Sequence, residues 1–216
     1  MRIQNLPGIQ SPPETALYNG FLYHVLVDPL LRKVRRLIAE KIKPGASVID
    51  IGCGTGQLLL ELSSLCRKVE GVEISEEMVQ FARKRLRKTP NAAIFPGNAA
   101  LLKRYSKKSF DFATCSMVFH EMEEEERLPA LNEMARVAEV LILVDYAAPI
   151  PRLPAKLAIN AVERFAGKSN FRKFRSFQLS GGLPSLVSAA RLTCVESRNF
   201  FFDSLLLLKV ESNPPP

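Results

Sequence analysis

Residues 48–57 read VIDIGCGTGQ: a short apolar run carrying one acid, Asp50, followed by Gly52, Gly54 and Gly56 at alternate positions. Val48, Ile49 and Ile51 favour a pleated, buried strand. The glycines permit backbone angles closed to other residues and let a ligand approach the main chain closely. Immediately downstream, Leu58, Leu59, Leu62 and Leu65 recur at helical spacing, so the stretch predicts strand, glycine turn, helix. A dinucleotide-binding turn would more typically follow GxGxxG, with its third glycine where Gln57 stands, and a phosphate-binding P-loop would need a lysine after the glycines. Neither pattern is met.

Working outward, the same unit repeats. Val69 to Ile74 forms a second candidate strand, and Ser75 can cap a helix whose first turn holds Glu76 and Glu77, favourable at the positive end of the dipole. Met78, Val79, Ala82 and Leu86 make its buried stripe. Further strands are expected at Ala92–Phe95, Phe110–Val118 and Val140–Val144, with a helix from about Glu123 to Val137 in which Pro129 marks a kink or a later start. Upstream, Asp28 and Pro29 read as the cap and first residue of an amphipathic helix with Leu30, Val34, Leu37 and Ile38 inward, ending near Pro44 and Gly45. Downstream, Gly181 and Gly182 precede a short helix, and strands near Thr193–Phe200 and Leu205–Val210 are close enough to pair as a hairpin; the tail from Asn213 to Pro216 is expected to fray. Alternating strands and helices imply a parallel sheet covered on both faces. The expected fold is α/β: a seven-stranded, mostly parallel sheet with helices on both faces and a C-terminal antiparallel hairpin.

The spacing GxGxG after an acidic strand, with Glu73 ending the second strand 21 residues after Gly52, resembles the Rossmann-like class I S-adenosylmethionine-dependent methyltransferases. The likeness runs over roughly residues 45–145. It implies that the turn at Asp50, Gly52, Gly54 and Gly56 cradles the amino acid part of S-adenosylmethionine, and that Glu73 accepts both ribose hydroxyls, a task suited to a carboxylate. It further implies Ile74 against the adenine, the backbone of Ala99 beside the ring, and Asn98 where the family often has Asp; Asn keeps the acceptor oxygen without the charge. Ser116 and Met117 would lie by the methionine end, with Phe119, His120 and Glu121 near the acceptor. His120 is the imidazole placed to act as a general base, its ordinary pKa of about 6.5 suiting that role.

The resemblance at the fourth strand is strongest to small-molecule methyltransferases, including those acting on quinone precursors. A nucleic-acid or protein amino-group methyltransferase would often show Asp/Asn-Pro-Pro-aromatic where residues 116–119 read SMVF. Residues 1–44, with Tyr18, Phe21, Tyr23 and His24, are expected to form a helical lid, and 151–178 a basic helical insertion over the acceptor; all belong to one domain spanning 1–216. That insertion mixes Leu153, Leu157, Phe165, Phe171, Phe174 and Phe177 with seven basic residues and one acid, Glu163, and so holds +6 of a net +8.

Composition is that of an ordinary globular protein. The start, MRIQNLPGIQSPP, lacks the pattern of a secretory signal, no stretch nears ~18 uninterrupted apolar residues, and a cytoplasmic location is expected. Cys53, Cys66, Cys115 and Cys194 form no CxxC pair and the histidines are only His24 and His120, so no metal is expected. The expected activity is methyl transfer from S-adenosylmethionine to a small apolar or anionic molecule, leaving S-adenosylhomocysteine, with peripheral contact with an anionic membrane. The alternatives are an RNA methyltransferase, favoured by a pI near 9.5 but lacking an appended RNA-binding module, and a non-catalytic S-adenosylmethionine-binding protein. A nicotinamide oxidoreductase is disfavoured by Gln57.

Overall fold

A computed structural model describes Pro29 and residues 31–211. Along the chain run α1 (Arg32–Ala39), β1 (Ser47–Ile51), α2 (Gln57–Ser63), β2 (Lys68–Glu73), α3 (Glu76–Leu86), β3 (Ala92–Pro96) and β4 (Phe110–Ser116). A 3-10 turn (Phe119–Glu121), α4 (Glu124–Val137), β5 (Ala138–Tyr146), α5 (Leu153–Phe165), α6 (Lys168–Leu179), α7 (Gly182–Ala189), β6 (Thr193–Phe200) and β7 (Leu205–Glu211) follow. One seven-stranded sheet results, ordered β3-β2-β1-β4-β5-β7-β6, parallel except that β7 lies antiparallel to both β5 and β6. This is the expected architecture, hairpin included.

Every residue of β1 is buried, as a central parallel strand covered on both faces requires. On one face, Val48 packs with Leu59, Leu62, Val79 and Ala82 from α2 and α3, and with Val34 and Ile38 from α1. On the other, Ile49 and Ile51 meet Leu131 and Met134 of α4 and Leu183 of α7. Strand order reverses between β1 and β4, and in such sheets the crevice outside the carboxyl ends at the reversal is where ligands bind. The glycine turn follows β1 and Ser116 ends β4 at that crevice.

Several boundaries differ from expectation. The first helix begins at Arg32, with Pro29 in a turn whose carbonyl accepts from the Arg32 N–H; Asp28, Leu30 and the lid residues Tyr18 to His24 lie outside the described residues, as does the C-terminal tail. Strand β4 stops at Ser116 rather than Val118 because Met117 adopts φ 60° and turns the chain. Pro129 neither delays nor ends α4, which starts at Glu124 and carries this proline on its exposed side. The segment 151–178 forms two helices, broken at Gly167 with φ 119°. At the outer edge of the sheet, β6 is almost wholly exposed and its pairing with β7 is interrupted by a bulge between Cys194 and Glu196.

Candidate active site

The turn after β1 is made by Gly52, Gly54 and Gly56, all in the left-handed region at φ 68°, 51° and 71°. The three do different work. A Cβ on Gly52 would stand 2.4 Å from Val118 Cγ2, so this glycine lets the loop after β4 close against the turn. One on Gly56 would meet the Ala82 methyl at 3.1 Å; this glycine faces α3 rather than the crevice and begins α2. A Cβ on Gly54 would meet nothing within 4 Å, so the backbone is open there to an incoming group.

Glu73 reaches back from the end of β2 to this open glycine. Its Oε2 accepts from the Gly54 N–H at 3.0 Å and its Oε1 from the Ser75 N–H at 2.9 Å, leaving each oxygen a spare lone pair. Burial raises the Glu73 pKa, opposed by the N–H groups of Ser75 and Gly54. Ser75 also caps α3 through the Met78 N–H, which fixes the corner. Gly97 donates its N–H to the Glu73 carbonyl, bringing Asn98 and Ala99 alongside. Asn98 Oδ1 accepts from the Ala100 N–H at 2.8 Å, Ala99 packs on the core, and the Ile74 side chain is exposed.

Asp50 sits in register with Thr114 across β1 and β4, and accepts the Thr114 hydroxyl at 2.6 Å. Burial pushes its pKa up to about 7, against the Thr114 hydrogen bond and with help from the Glu73 charge. Asp50, Gly52, Gly54 and Ser116 line one small cleft, of about 50 Å³, together with Leu31 and Arg35 of the α1 end. Arg35 carries no site signal in the sequence, where it stands among Arg32, Lys33 and Arg36 between the apolar residues of α1. It is buried at the cleft, its Nε 2.8 Å from Glu61 Oε1.

His120, in the 3-10 turn that follows β4, belongs to a second group. Its ring is 3% exposed, with Nδ1 2.7 Å from Asp145 Oδ1, and its backbone N–H donates to Asp145 Oδ2 at 3.3 Å. Nε2 points between Glu163 Oε1 at 3.8 Å and Glu121 Oε1 at 3.9 Å. Burial works against the imidazolium, yet the charge and hydrogen bond of Asp145, followed by the charges of Glu121 and Glu163, outweigh it and push the pKa up to about 9. The raised pKa favours the imidazolium, and the Asp145 contact on Nδ1 leaves Nε2 as the nitrogen that faces Glu163 and Glu121. Tyr146 packs edge-on to the ring and donates its hydroxyl to Glu163 at 2.9 Å. Glu121 is the exposed member, close enough to Glu73 for their charges to interact.

Buried Arg127 holds this group in place. Its guanidinium donates to the carbonyls of Phe119 at 3.2 Å, Met122 at 3.1 Å and Lys173 at 2.8 Å, tying the 3-10 turn to α6. Asp145, Tyr146 and Arg127 had no distinguishing signal in the sequence, and Glu163 stood out only as the one acid of the basic insertion, because each acquires its partner through tertiary packing.

Residues 48–139 match the family model described as a methyltransferase domain. The chain is 32% identical over 116 residues to a demethylmenaquinone methyltransferase of Desulfitobacterium hafniense, covering 50% of this chain and 45% of that protein. It is 27% identical over 144 residues to a dTDP-3-amino-3,6-dideoxy-alpha-D-glucopyranose N,N-dimethyltransferase of Streptomyces fradiae, covering 65% of this chain and 54% of that one. The matches thus span about half the length of these curated relatives. A SAM-dependent methyltransferase from Aquifex aeolicus shares the fold with a TM-score of 0.61 at 18% identity, over 88% of this chain and 97% of that one.

Proposed function

Because residues 48–139 form a methyltransferase domain of the class I, S-adenosylmethionine-dependent family, we propose that the chain transfers a methyl group from S-adenosylmethionine to a small apolar or anionic molecule, releasing S-adenosylhomocysteine. The observation that carries the reading is the Glu73–Gly54 pair: a carboxylate with spare lone pairs beside a backbone that stands open, with nothing within 4 Å of a Cβ position on Gly54.

The residues present fit the cofactor. Glu73 would receive the ribose hydroxyls on the lone pairs that Gly54 and Ser75 leave free, with Ile74 against one side of the adenine and Asn98 and Ala99 at its edge. Asp50, Gly52, Gly54 and Ser116 would hold the amino acid end, where Asp50 can accept from an ammonium and Arg35 can face a carboxylate. Gly56 contributes by letting α2 start and α3 pack. S-adenosylmethionine supplies a methyl already activated on a sulfonium, so the protein's share is in-line positioning and exclusion of water.

His120 acts as a positioning residue in this reading rather than as the base. Held by Asp145, its Nε2 lies 3.9 Å from Glu121 Oε1, and Glu121 would receive a proton from an acceptor O–H or N–H. The names of the two relatives support the acceptor class: demethylmenaquinone is apolar, and a dTDP-sugar is anionic.

Calorimetric titration with S-adenosylmethionine and S-adenosylhomocysteine tests the cofactor. Saturable binding of both, weakened at least about tenfold in Glu73→Gln, is expected from loss of a charge-assisted hydrogen-bond pair. No binding by the wild type sinks the proposal. Incubation of methyl-labelled S-adenosylmethionine with a total lipid extract or total RNA tests the acceptor class: label confined to RNA would exclude a small-molecule acceptor.

A further inference from the structure

Helix α5 shows its apolar side outward. Of its 13 residues only Glu163 is buried, and that carboxylate faces Tyr146 and His120. Leu153, Leu157, Val162 and Phe165 are all exposed, Phe165 at 89%. At 100° per residue these four, with Ala158 and Ala161 between them, span roughly half the helix circumference with Arg164 as the one charge inside the arc, whereas Asn160, Lys156 and Glu163 lie beyond its Leu153 edge. A surface helix of a globular protein has the opposite arrangement, its apolar stripe on the core.

A second element extends this face. The turn between β6 and β7 places Phe201, Phe202 and Asp203 consecutively in the left-handed region, at φ 49°, 55° and 63°, a conformation uncommon for any one of them. It presents Phe202 to solvent at 75% exposure. Arg152, just before α5, joins the two elements: its Nη2 lies 3.4 Å from Asp203 Oδ2 and its guanidinium carbon 5.9 Å from the Phe202 ring. Asp203 is therefore neutralised locally.

The remaining exposed charges of this segment, Arg164 within the arc, Lys156 on its flank and Lys168 just past the helix end, are positive, and the single acid of the insertion is turned inward. That charge pattern selects the occupant. A second copy would set two like-charged segments against each other, and protein interfaces are depleted in lysine. An apolar helix face with a lysine and arginine border matches an anionic bilayer, whose headgroups attract each basic residue while the acyl boundary takes up the apolar side chains.

We propose that α5 and the β6–β7 turn dock on the surface of an anionic lipid bilayer, with Leu153, Leu157, Phe165 and Phe202 inserted at the headgroup boundary. This goes beyond the methyl-transfer reading and stands or falls without it. The orientation keeps Glu163 toward His120, so the docked face is the outer side of the helix that roofs this group.

The chain contains no tryptophan, so Phe165→Trp provides a single indole reporter. The full-length protein carrying it is mixed with vesicles of phosphatidylglycerol and phosphatidylcholine, and with phosphatidylcholine alone. Expected are co-sedimentation with the anionic vesicles about a hundredfold stronger than with neutral ones, loss of that preference at high salt, a blue-shifted indole and its quenching by brominated lipid. Leu157→Glu combined with Phe202→Glu should abolish sedimentation while calorimetric S-adenosylmethionine binding, or the far-ultraviolet spectrum if the cofactor does not bind, stays as in the wild type. Three results would overturn the proposal: no sedimentation with either vesicle; sedimentation without indole shift or quenching, which places the contact elsewhere; or a concentration-dependent dimer, seen by light scattering, that the double substitution dissociates.

Discussion

Asp145 grips His120 twice, with one carboxylate oxygen on the ring Nδ1 and the other on the backbone N–H of the same residue. The strand neighbour Tyr146 also donates its N–H to Asp145 Oδ1, so the carboxylate is fully engaged in a site with no exposure. This fixes both the orientation and the charge of the imidazole.

The His120 pKa should be measurable as a stability change. Its folded value is raised to about 9 from an ordinary 6.5, so the stabilisation is complete below pH 6.5 and is lost as pH rises through 9. The loss should be on the order of 3 kcal/mol in urea unfolding, and Asp145→Asn should remove most of it. An imidazole NMR titration midpoint at or below 6.5 would contradict this account.

Asp50 should give a similar slope at lower pH. Its folded pKa, raised to about 7 by burial, favours the protonated acid, so stability falls as pH climbs from the ordinary carboxylate value near 4 towards 7. Asp50→Asn keeps an acceptor for the Thr114 hydroxyl and removes the ionisation. Its Tm should exceed that of the wild type at pH 8 and match it at pH 4, while S-adenosylmethionine affinity drops.

Gly52→Ala and Gly54→Ala should fail differently. The first forces a methyl into Val118 at a positive φ and is expected to cost about 2 kcal/mol or more of folding stability. The second meets open space, so it should cost about 1 kcal/mol through φ alone but weaken cofactor binding more than its stability loss explains. Equal behaviour in paired denaturation and calorimetry experiments would mean that Gly54 does not face the ligand.

Arg127→Met should destabilise by about 3 kcal/mol, because the carbonyls of Phe119, Met122 and Lys173 lose their donor at a buried position. Hydrogen exchange should quicken in the 3-10 turn and α6 before it does in β1. Uniform acceleration would argue against a local tie.

The central sheet was legible from sequence because β1, β4 and β5 carried their own apolar runs and α3 its own start at Ser75. What escaped were features that a residue acquires from a distant partner. Met117 ends β4 two residues early because Val118 must pack on Gly52, 66 positions upstream. The partner of His120 was hidden in the same way, since Asp145 reaches its ring only because β5 lies parallel to β4. The apolar pattern of α5 was visible too, but periodicity gives the angle of a face and not its direction, and only the inward Glu163 reveals that the face is turned out. The glycines were found as a motif, whereas their separate tasks depend on which neighbour stands over each.

The bulge between Cys194 and Glu196 has a consequence for the life of the protein among its own copies. An edge strand offers unpaired main-chain groups to any extended segment it meets, and a regular β6 would invite ordered stacking of one sheet onto another. The bulge breaks that template near the start of the strand, and Lys41 holds Glu196 in an ion pair across it, while Arg198 adds a charge further along. Straightening the bulge by deleting Val195 would restore a regular register with β7 and leave the charges of Glu196 and Arg198 as what guards this edge against pairing with another chain.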